Sequence, residues 1–436
     1  MNVRYSLRGG VIFLLTRTIL IWLLVYFCKN SVRVKQRSRI GDSKRILALN
    51  VNRFRGDLEL LDQDDRITIL RMPYLWQGRL YYWFFGEELE TEPSEVLRQR
   101  KQYRQFLERF LSRLYRLLDI DLVLGSGIHY KVAEDWGAIS ESLGYSYVVL
   151  HREGYMGSPF EDEYIAAPGQ MGKRFPGSML IFQTQRHREI VVKSGFVSES
   201  NSAVSGVMRM DDFIRASCST IPQSTVFKSD RRKRITLFSF GPSTGFITVP
   251  PIWPIDPENY LMEMCYKTHV LVARYAVNHA DIDVTIKTKW GGRWLEEIHK
   301  ILGEHGIESS DVENLEILTE SSAQELIGKS DVVVGYGSTT LLEAAIVGLP
   351  VIVPRFDELL RDDFKKYLLY PDIDEAFNIA EGPDKLERLI EENLANPGID
   401  EQQMTARKRA FTRYISSLNG DAVERSIKLL LSVESA

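Results

Sequence analysis

The sequence predicts an α/β fold, in which two doubly wound parallel-sheet domains follow an apolar N-terminal helix, and three observations carry that prediction. Short β-branched runs ending in glycine alternate with helical stretches from residue 45 to about residue 395, an order that lays strands side by side under helices on both faces. At 436 residues the chain exceeds what one core serves, so two domains of roughly 150 to 200 residues are expected. The charge is uneven: residues 1–45 hold ten Lys or Arg against one acid, Asp42, so this segment is +9 and the rest, with the whole at −4, carries −13. An acidic body excludes nucleic-acid binding through a general basic surface. Cys28, Cys218 and Cys265 lack metal-ligand spacing, which argues against a zinc site or disulfide framework and fits a reducing cytosol.

Residues 1–44 read as a membrane anchor with a basic tail. Residues 11–28, VIFLLTRTILIWLLVYFC, sit at the lower length limit for a membrane span and are interrupted by Thr16, Arg17 and Thr18. No small-residue cleavage site follows, which argues against a cleaved signal peptide. Two membrane readings stand, a short single span or a helix lying in the interface with Arg17 snorkelling; the alternative is a helix of the globular body. Lys29, Arg33, Lys35, Arg37 and Arg39 then place the body on the cytoplasmic side of the inner membrane.

Residues 45–220 form the first domain. Strands are expected at 46–51, 67–70, 121–124, 145–150 and 179–183, and helices at 93–118, 131–143 and 186–194, the first with an apolar stripe at Phe106, Phe110, Leu114 and Leu117. The turn Gly125, Ser126, Gly127 with His129 suits a structural or substrate-positioning role. His151, Arg152 and Glu153 follow the strand at 145–150, at the mouth of the sheet where open α/β domains bind ligands. Residues 155–177 contain four glycines and three prolines without a helical or strand period, and read as an acceptor loop or lid. The polar, basic stretch 221–234 reads as a linker.

Residues 221–400 form the second domain. A strand at 235–240 ends in a small-residue turn containing Gly241, Ser243 and Thr244, which suits a phosphate. A helix at 260–277 precedes a strand at 284–289, whose Lys287 and Lys289 share one face. After a strand at 315–318 and a short helix at 321–327 comes the most informative window, residues 331–354, DVVVGYGSTTLLEAAIVGLPVIVP. A buried strand breaks at Gly335, Tyr336 and Gly337; Ser338, Thr339 and Thr340 offer capping hydroxyls to a helix at 341–347; Gly348 and Pro350 stop it before a strand at 351–353. Free backbone N–H groups at such a turn hold an anion, naturally a phosphate. Glu343, placed in the first turn, either reaches ribose hydroxyls or merely compensates the helix dipole. Residues 362–370 suit a surface helix and 401–433 a long amphipathic one.

The pattern G-x-G-S-T-T-x-x-E-A-x-x-x-G-x-P-V-I resembles the donor-nucleotide segment of GT-B glycosyltransferases, closest to the capsule and surface-carbohydrate branch (Kdo- and sialyl-type transferases) and to the CDP-glycerol glycerophosphotransferases of teichoic acid synthesis. The resemblance implies two facing Rossmann-like domains and no bound metal. It implies that Tyr336, Gly337, Ser338, Thr339 and Thr340 line the donor phosphate opposite Gly241, Ser243 and Thr244, and that Glu343 contacts the ribose. It carries a phosphate contact to Lys287, whereas Thr288, Lys289 and Trp290 replace the family's following His-Pro. Asp357 and Glu358 stand where the family often has acids near the donor sugar. VSGVMRMD at 204–211 resembles the segment that closes the first domain, and the C-terminal helix, residues 401–436, is expected to cross back to that domain. Glu153 is the implied base; His151 is its rival, because the glycerophosphotransferase motif centres on a histidine-glycine pair. The implied partners are a nucleotide sugar, a surface glycan or glycolipid acceptor, and the membrane. A glycerophosphotransferase, a nucleotide-sugar 2-epimerase and an inactive scaffold of the same fold remain alternatives.

Overall fold

Two mainly parallel sheets carry the chain. The computed structural model describes residues 18–35, 41, 43–86, 93–219, 231–246, 260–289 and 291–434. They divide into two units: Met1–Glu153 with Pro168–Asp211 and Asp421–Ala436, and Gly154–Ala167 with Asp212–Gly420.

The first unit opens with helix α1 (Thr18–Ser31) and the two-residue strand β1 (Arg33–Val34), followed by β2 (Lys44–Ala48), α2 (Asp57–Leu61), β3 (Ile67–Arg71), α3 (Tyr74–Phe85) and α4 (Pro93–Leu118). Next come β4 (Leu122–Gly125), α5 (Lys131–Ser142) and β5 (Ser146–Leu150); α6 (Pro159–Gln170), most of which belongs to the second unit, precedes β6 (Met179–Phe182), α7 (Gln185–Lys193) and β7 (Ser202–Val204), and all but the first residue of α8 (Asp211–Ser219) belongs to the second unit. The sheet order is β1-β3-β2-β4-β5-β6-β7, with β1 antiparallel to β3 and every other pair parallel. Val148 pairs with Leu124 and Leu150 with Ile181, all buried, because helices cover both faces of a parallel sheet.

The second unit runs β8 (Lys233–Phe238), α9 (Met262–Asn278), β9 (Ile282–Lys287), α10 (Arg293–Glu304), β10 (Leu315–Leu318), α11 (Ala323–Lys329) and β11 (Val332–Gly335). It continues through α12 (Thr339–Ile346), β12 (Val351–Pro354), β13 (Asn378–Ala380), α13 (Pro383–Ala395) and α14 (Glu401–Tyr414), before α15 (Ala422–Ser432) in the first unit. Its strands are all parallel in the order β10-β9-β8-β11-β12-β13, so the winding reverses between β8 and β11.

Several expectations are corrected. Among the described residues no helix is long and apolar enough to cross a membrane. The described part of the expected anchor, α1, instead packs Ile21, Val25 and Cys28 into the first unit against α4. Residues 11–17, Arg37 and Arg39 lie outside the described residues, as do most of the expected linker and Trp290. Residues 155–177 are not irregular, since Pro159–Gln170 is helical. The single helix expected at 401–433 is two, and 362–370 holds only a 3-10 turn, Asp362–Tyr367.

The break before α15 has a specific clasp. Asp211 accepts hydrogen bonds from the backbone N–H of Ala422 (3.0 Å) and Val423 (2.9 Å), and Ile427 and Leu430 join the core formed by Ile46, Leu58 and Met208. Asp211→Ala removes both acceptors, one from a buried and one from a half-buried donor, and is expected to destabilise the protein by about 1 to 3 kcal/mol. A denaturant midpoint unchanged by this substitution would refute the clasp.

Candidate functional site

The point where the strand order reverses brings two small-residue turns together at the carboxyl ends of β8 and β11. After β8 the chain closes on itself: Thr244 N–H donates to the Gly241 carbonyl at 3.0 Å, and the Thr244 hydroxyl accepts from Gly241 N–H at 3.2 Å. After β11, Gly337 adopts φ +62°, a left-handed conformation costly for any residue with a Cβ. A Cβ there would collide with Thr244 Cγ2 and lie 2.7 Å from Leu369 Cδ1. The two turns predicted to line a phosphate therefore touch.

Ser338 caps α12: its hydroxyl accepts from Thr340 N–H at 3.3 Å and lies 2.6 Å from the Thr340 hydroxyl. Gly337, Ser338, Thr339 and Thr340 are half-buried and so reachable from solvent, as are Ser243 and Thr244. Tyr336 is different. Its buried hydroxyl accepts from Leu369 N–H at 3.3 Å and lies 3.4 Å from the Tyr367 carbonyl, so it pins the turn from beneath.

Glu343 is the fifth residue of α12, not in its first turn, which removes the dipole-compensating alternative. It is buried and within electrostatic reach of Tyr370, whose hydroxyl is pushed well above its ordinary pKa by burial, Glu161, Tyr414 and Glu343. The Lys287 ammonium donates to the carbonyls of Thr288 (2.6 Å) and Thr319 (2.7 Å) at the ends of β9 and β10. Glu358 is engaged too, accepting from the N–H groups of Glu263 (2.7 Å) and Met264 (3.1 Å) at the start of α9, while Asp357 pairs with Lys267 at 3.0 Å.

The overall fold is shared with solved structures of other proteins. No protein-family model and no curated protein sequence matches the chain. Among solved structures, UDP-GlcNAc 2-epimerase from Neisseria meningitidis bound to UDP-GlcNAc is similar with a TM-score of 0.50 and 12% identity, over 89% of this chain and 100% of that one. A putative UDP-N-acetylglucosamine 2-epimerase from Listeria monocytogenes gives 0.52 and 11%, over 89% and 96%. A further UDP-N-acetylglucosamine 2-epimerase gives 0.51 and 13%, over 90% and 96%. The chain has the GT-B fold. At such identities the likeness shows the fold alone.

Beneath the turn after β8 lies a support that spacing did not reveal. His269 Nε2 lies 2.9 Å from the Ser239 hydroxyl, its Nδ1 2.7 Å from the Cys265 carbonyl, and Trp294 Nε1 donates to Ser239 at 3.0 Å. Gly241 is required here, because a Cβ would stand 2.9 Å from Trp294 Cη2. The helical spacing of Cys265 and His269 was the only available signal, since Trp294 lies more than 50 residues beyond Ser239.

In the first unit, Glu153 is exposed just beyond β5 and accepts a hydrogen bond from the Tyr130 hydroxyl at 2.8 Å. The Arg53 guanidinium lies 5.2 Å over the Tyr130 ring, and burial, then Glu153, pushes the phenol up to about 12. Arg152, the neighbour of Glu153 in sequence, pairs with buried Asp57. His151 is buried, its ring 4.8 Å from His187 and 5.4 Å from His129. Among the described residues no group of three or more His, Cys, Asp or Glu is placed to hold a metal.

Burial holds His187 down to about 3, and burial with His187 and His129 nearby lowers His151 well below its ordinary 6.5. The unfolded chain therefore binds protons that the folded state refuses, and stability is lost as pH falls from about 6.5 toward 3. From pH 7 to pH 5 these two histidines should cost about 2 to 4 kcal/mol. Thermal melts should show that loss, and a His187→Gln variant should show a shallower one; equal slopes would refute it.

Proposed function

We propose that the protein is a metal-independent glycosyltransferase that moves a sugar from a nucleotide-sugar donor to a surface glycan or glycolipid on the cytoplasmic side of the membrane. The contact of Gly337 with Thr244 carries the donor half of this reading, because it gathers two small-residue turns, their half-buried hydroxyls and the N-terminus of α12 where a leaving diphosphate gathers charge. In the reaction, the acceptor oxygen bonds to the anomeric carbon, the bond from that carbon to the phosphate oxygen breaks, and the acceptor proton passes to Glu153. Lys287 reaches a phosphate only by giving up the carbonyls of Thr288 and Thr319. Glu343 supplies the charged acceptor for a ribose hydroxyl.

The test is a thermal-shift panel with CMP, CDP, UDP and GDP, followed by calorimetry on Glu343→Ala. Losing a hydrogen bond to a charged acceptor should cost about 1.5 to 3 kcal/mol, roughly ten- to a hundredfold in affinity. No shift with any nucleotide would leave an inactive scaffold, and unchanged affinity in the variant would move the ribose site elsewhere.

A second reading has its own support, since the similar structures above are UDP-GlcNAc 2-epimerases. Under it, UDP-GlcNAc alone would be altered at the sugar's C2 without any acceptor; under the first, nucleotide release requires one.

A further inference from the structure

We propose that the outer face of α1, with its cationic surroundings, seats the first unit on a lipid bilayer carrying anionic headgroups, with the helix lying in the membrane plane. The inference goes beyond the reaction proposed above and stands whichever sugar chemistry the protein performs.

One half of α1 is already used. Ile21, Val25 and Cys28 are buried in the first unit, where α1 packs on α4, and Cys28 Sγ lies 3.6 Å from Met72 Sδ. An ordinary surface helix would turn polar residues outward. The outward residues here are instead Ile19, Trp22, Leu23, Tyr26 and Phe27, each between 49% and 79% exposed. Their spacing i, i+3, i+4, i+7, i+8 lines one continuous stripe of the helix. Trp76 Nε1 donates to Ser31 Oγ at 2.6 Å, which brings the start of α3, with exposed Tyr74 and Leu75, to the end of α1 and prolongs the apolar surface.

What covers this face is decided by its rim. Exposed Lys29, Arg33, Lys35 and Arg79 stand at the α1–α3 end. Along α4, the Arg113 guanidinium lies 5.4 Å over the Trp22 ring, with exposed Arg109 and Arg116 one turn to either side. A second copy of the chain would bring two such cationic rims together and repel itself. Anionic headgroups complement the rim, the apolar stripe enters the acyl boundary, and Trp22 and Tyr26 suit the interfacial layer.

Flotation of the full chain with vesicles of phosphatidylcholine, alone or mixed with phosphatidylglycerol, tests this. The chain is expected to float with the mixed vesicles and to partition about tenfold less, or lower still, into neutral ones. The double substitution Trp22→Ser, Phe27→Ser should reduce partitioning by about tenfold or more. Both side chains are exposed, so the melting temperature and any nucleotide-induced shift should stay unchanged, which separates this result from failure of the donor site. Equal partitioning into both vesicles, a double variant that floats like the parent, or a solution dimer that this variant dissociates would each overturn the proposal, the last assigning the face to a second copy.

Discussion

Glu153→Gln is expected to lower turnover by roughly a hundred- to ten-thousandfold while leaving nucleotide affinity nearly intact. Under the proposed transfer, displacement at the anomeric carbon needs a general base to take the acceptor proton, and glutamine keeps the shape of glutamate while losing its basicity. Glu153 is exposed at the carboxyl end of β5, where open α/β sheets receive ligands, and the Tyr130 hydroxyl orients it from 2.8 Å. Tyr130→Phe removes the orienting bond alone, so its effect should be smaller, about tenfold. His151 is the competing base, yet it lies buried beside His129 and His187. Near-normal turnover in Glu153→Gln, together with a folded but inactive His151→Asn variant, would transfer the role to His151 and favour glycerophosphate transfer. Single-turnover rates and melting temperatures measured on the same samples separate these outcomes.

Gly337→Ala is expected to destabilise the protein and to abolish nucleotide binding together. Two costs add. The left-handed backbone at φ +62° costs about 1 to 2 kcal/mol for alanine. The new Cβ would strike Thr244 Cγ2 and approach Leu369 Cδ1 to 2.7 Å, an overpacking cost of about 1 to 3 kcal/mol. The sum, about 2 to 5 kcal/mol, corresponds to a fall in Tm of roughly 5 to 15 °C. Thr244→Ser removes Cγ2 yet keeps the hydroxyl bonded to Gly241 N–H, so the double variant should regain part of the clash term. Strictly additive effects would show that the two turns do not bear on each other.

Much of the fold was legible because its signals are local. Parallel strands covered on both faces leave short runs such as Val332–Gly335, and every residue of that strand is buried. The helix Pro93–Leu118 has the expected bounds, and Phe106, Phe110 and Leu114 of its stripe are buried, whereas Leu117 is exposed. One miss was avoidable. Ser158-Pro159-Phe160-Glu161 is a helix-start signature: Pro159 is the first helical residue, the Ser158 hydroxyl accepts from Glu161 N–H at 3.1 Å, and the Glu161 carboxylate accepts from the N–H of Met156 and Gly157. Counting glycines and prolines across 155–177 hid it, and Pro168 is tolerated near the helix end.

By itself the sequence determined the alternation of strands and helices, the two small-residue turns, and the capping of α12 by Ser338, since steric preference and hydrogen-bond capacity act between near neighbours. Tertiary structure alone decided which turns meet. Nothing local sets the order β10-β9-β8-β11-β12-β13, yet that order puts Thr244 against Gly337 across more than 90 residues of chain. It decided as well that His151 is buried while Glu153, two residues on, is exposed, and that Lys287 turns to the carbonyls of Thr288 and Thr319. Composition marked residues 19–28 of α1 as apolar; only packing against α4 made one face core and left the other outward, because burial belongs to the neighbours a residue meets and not to the residue.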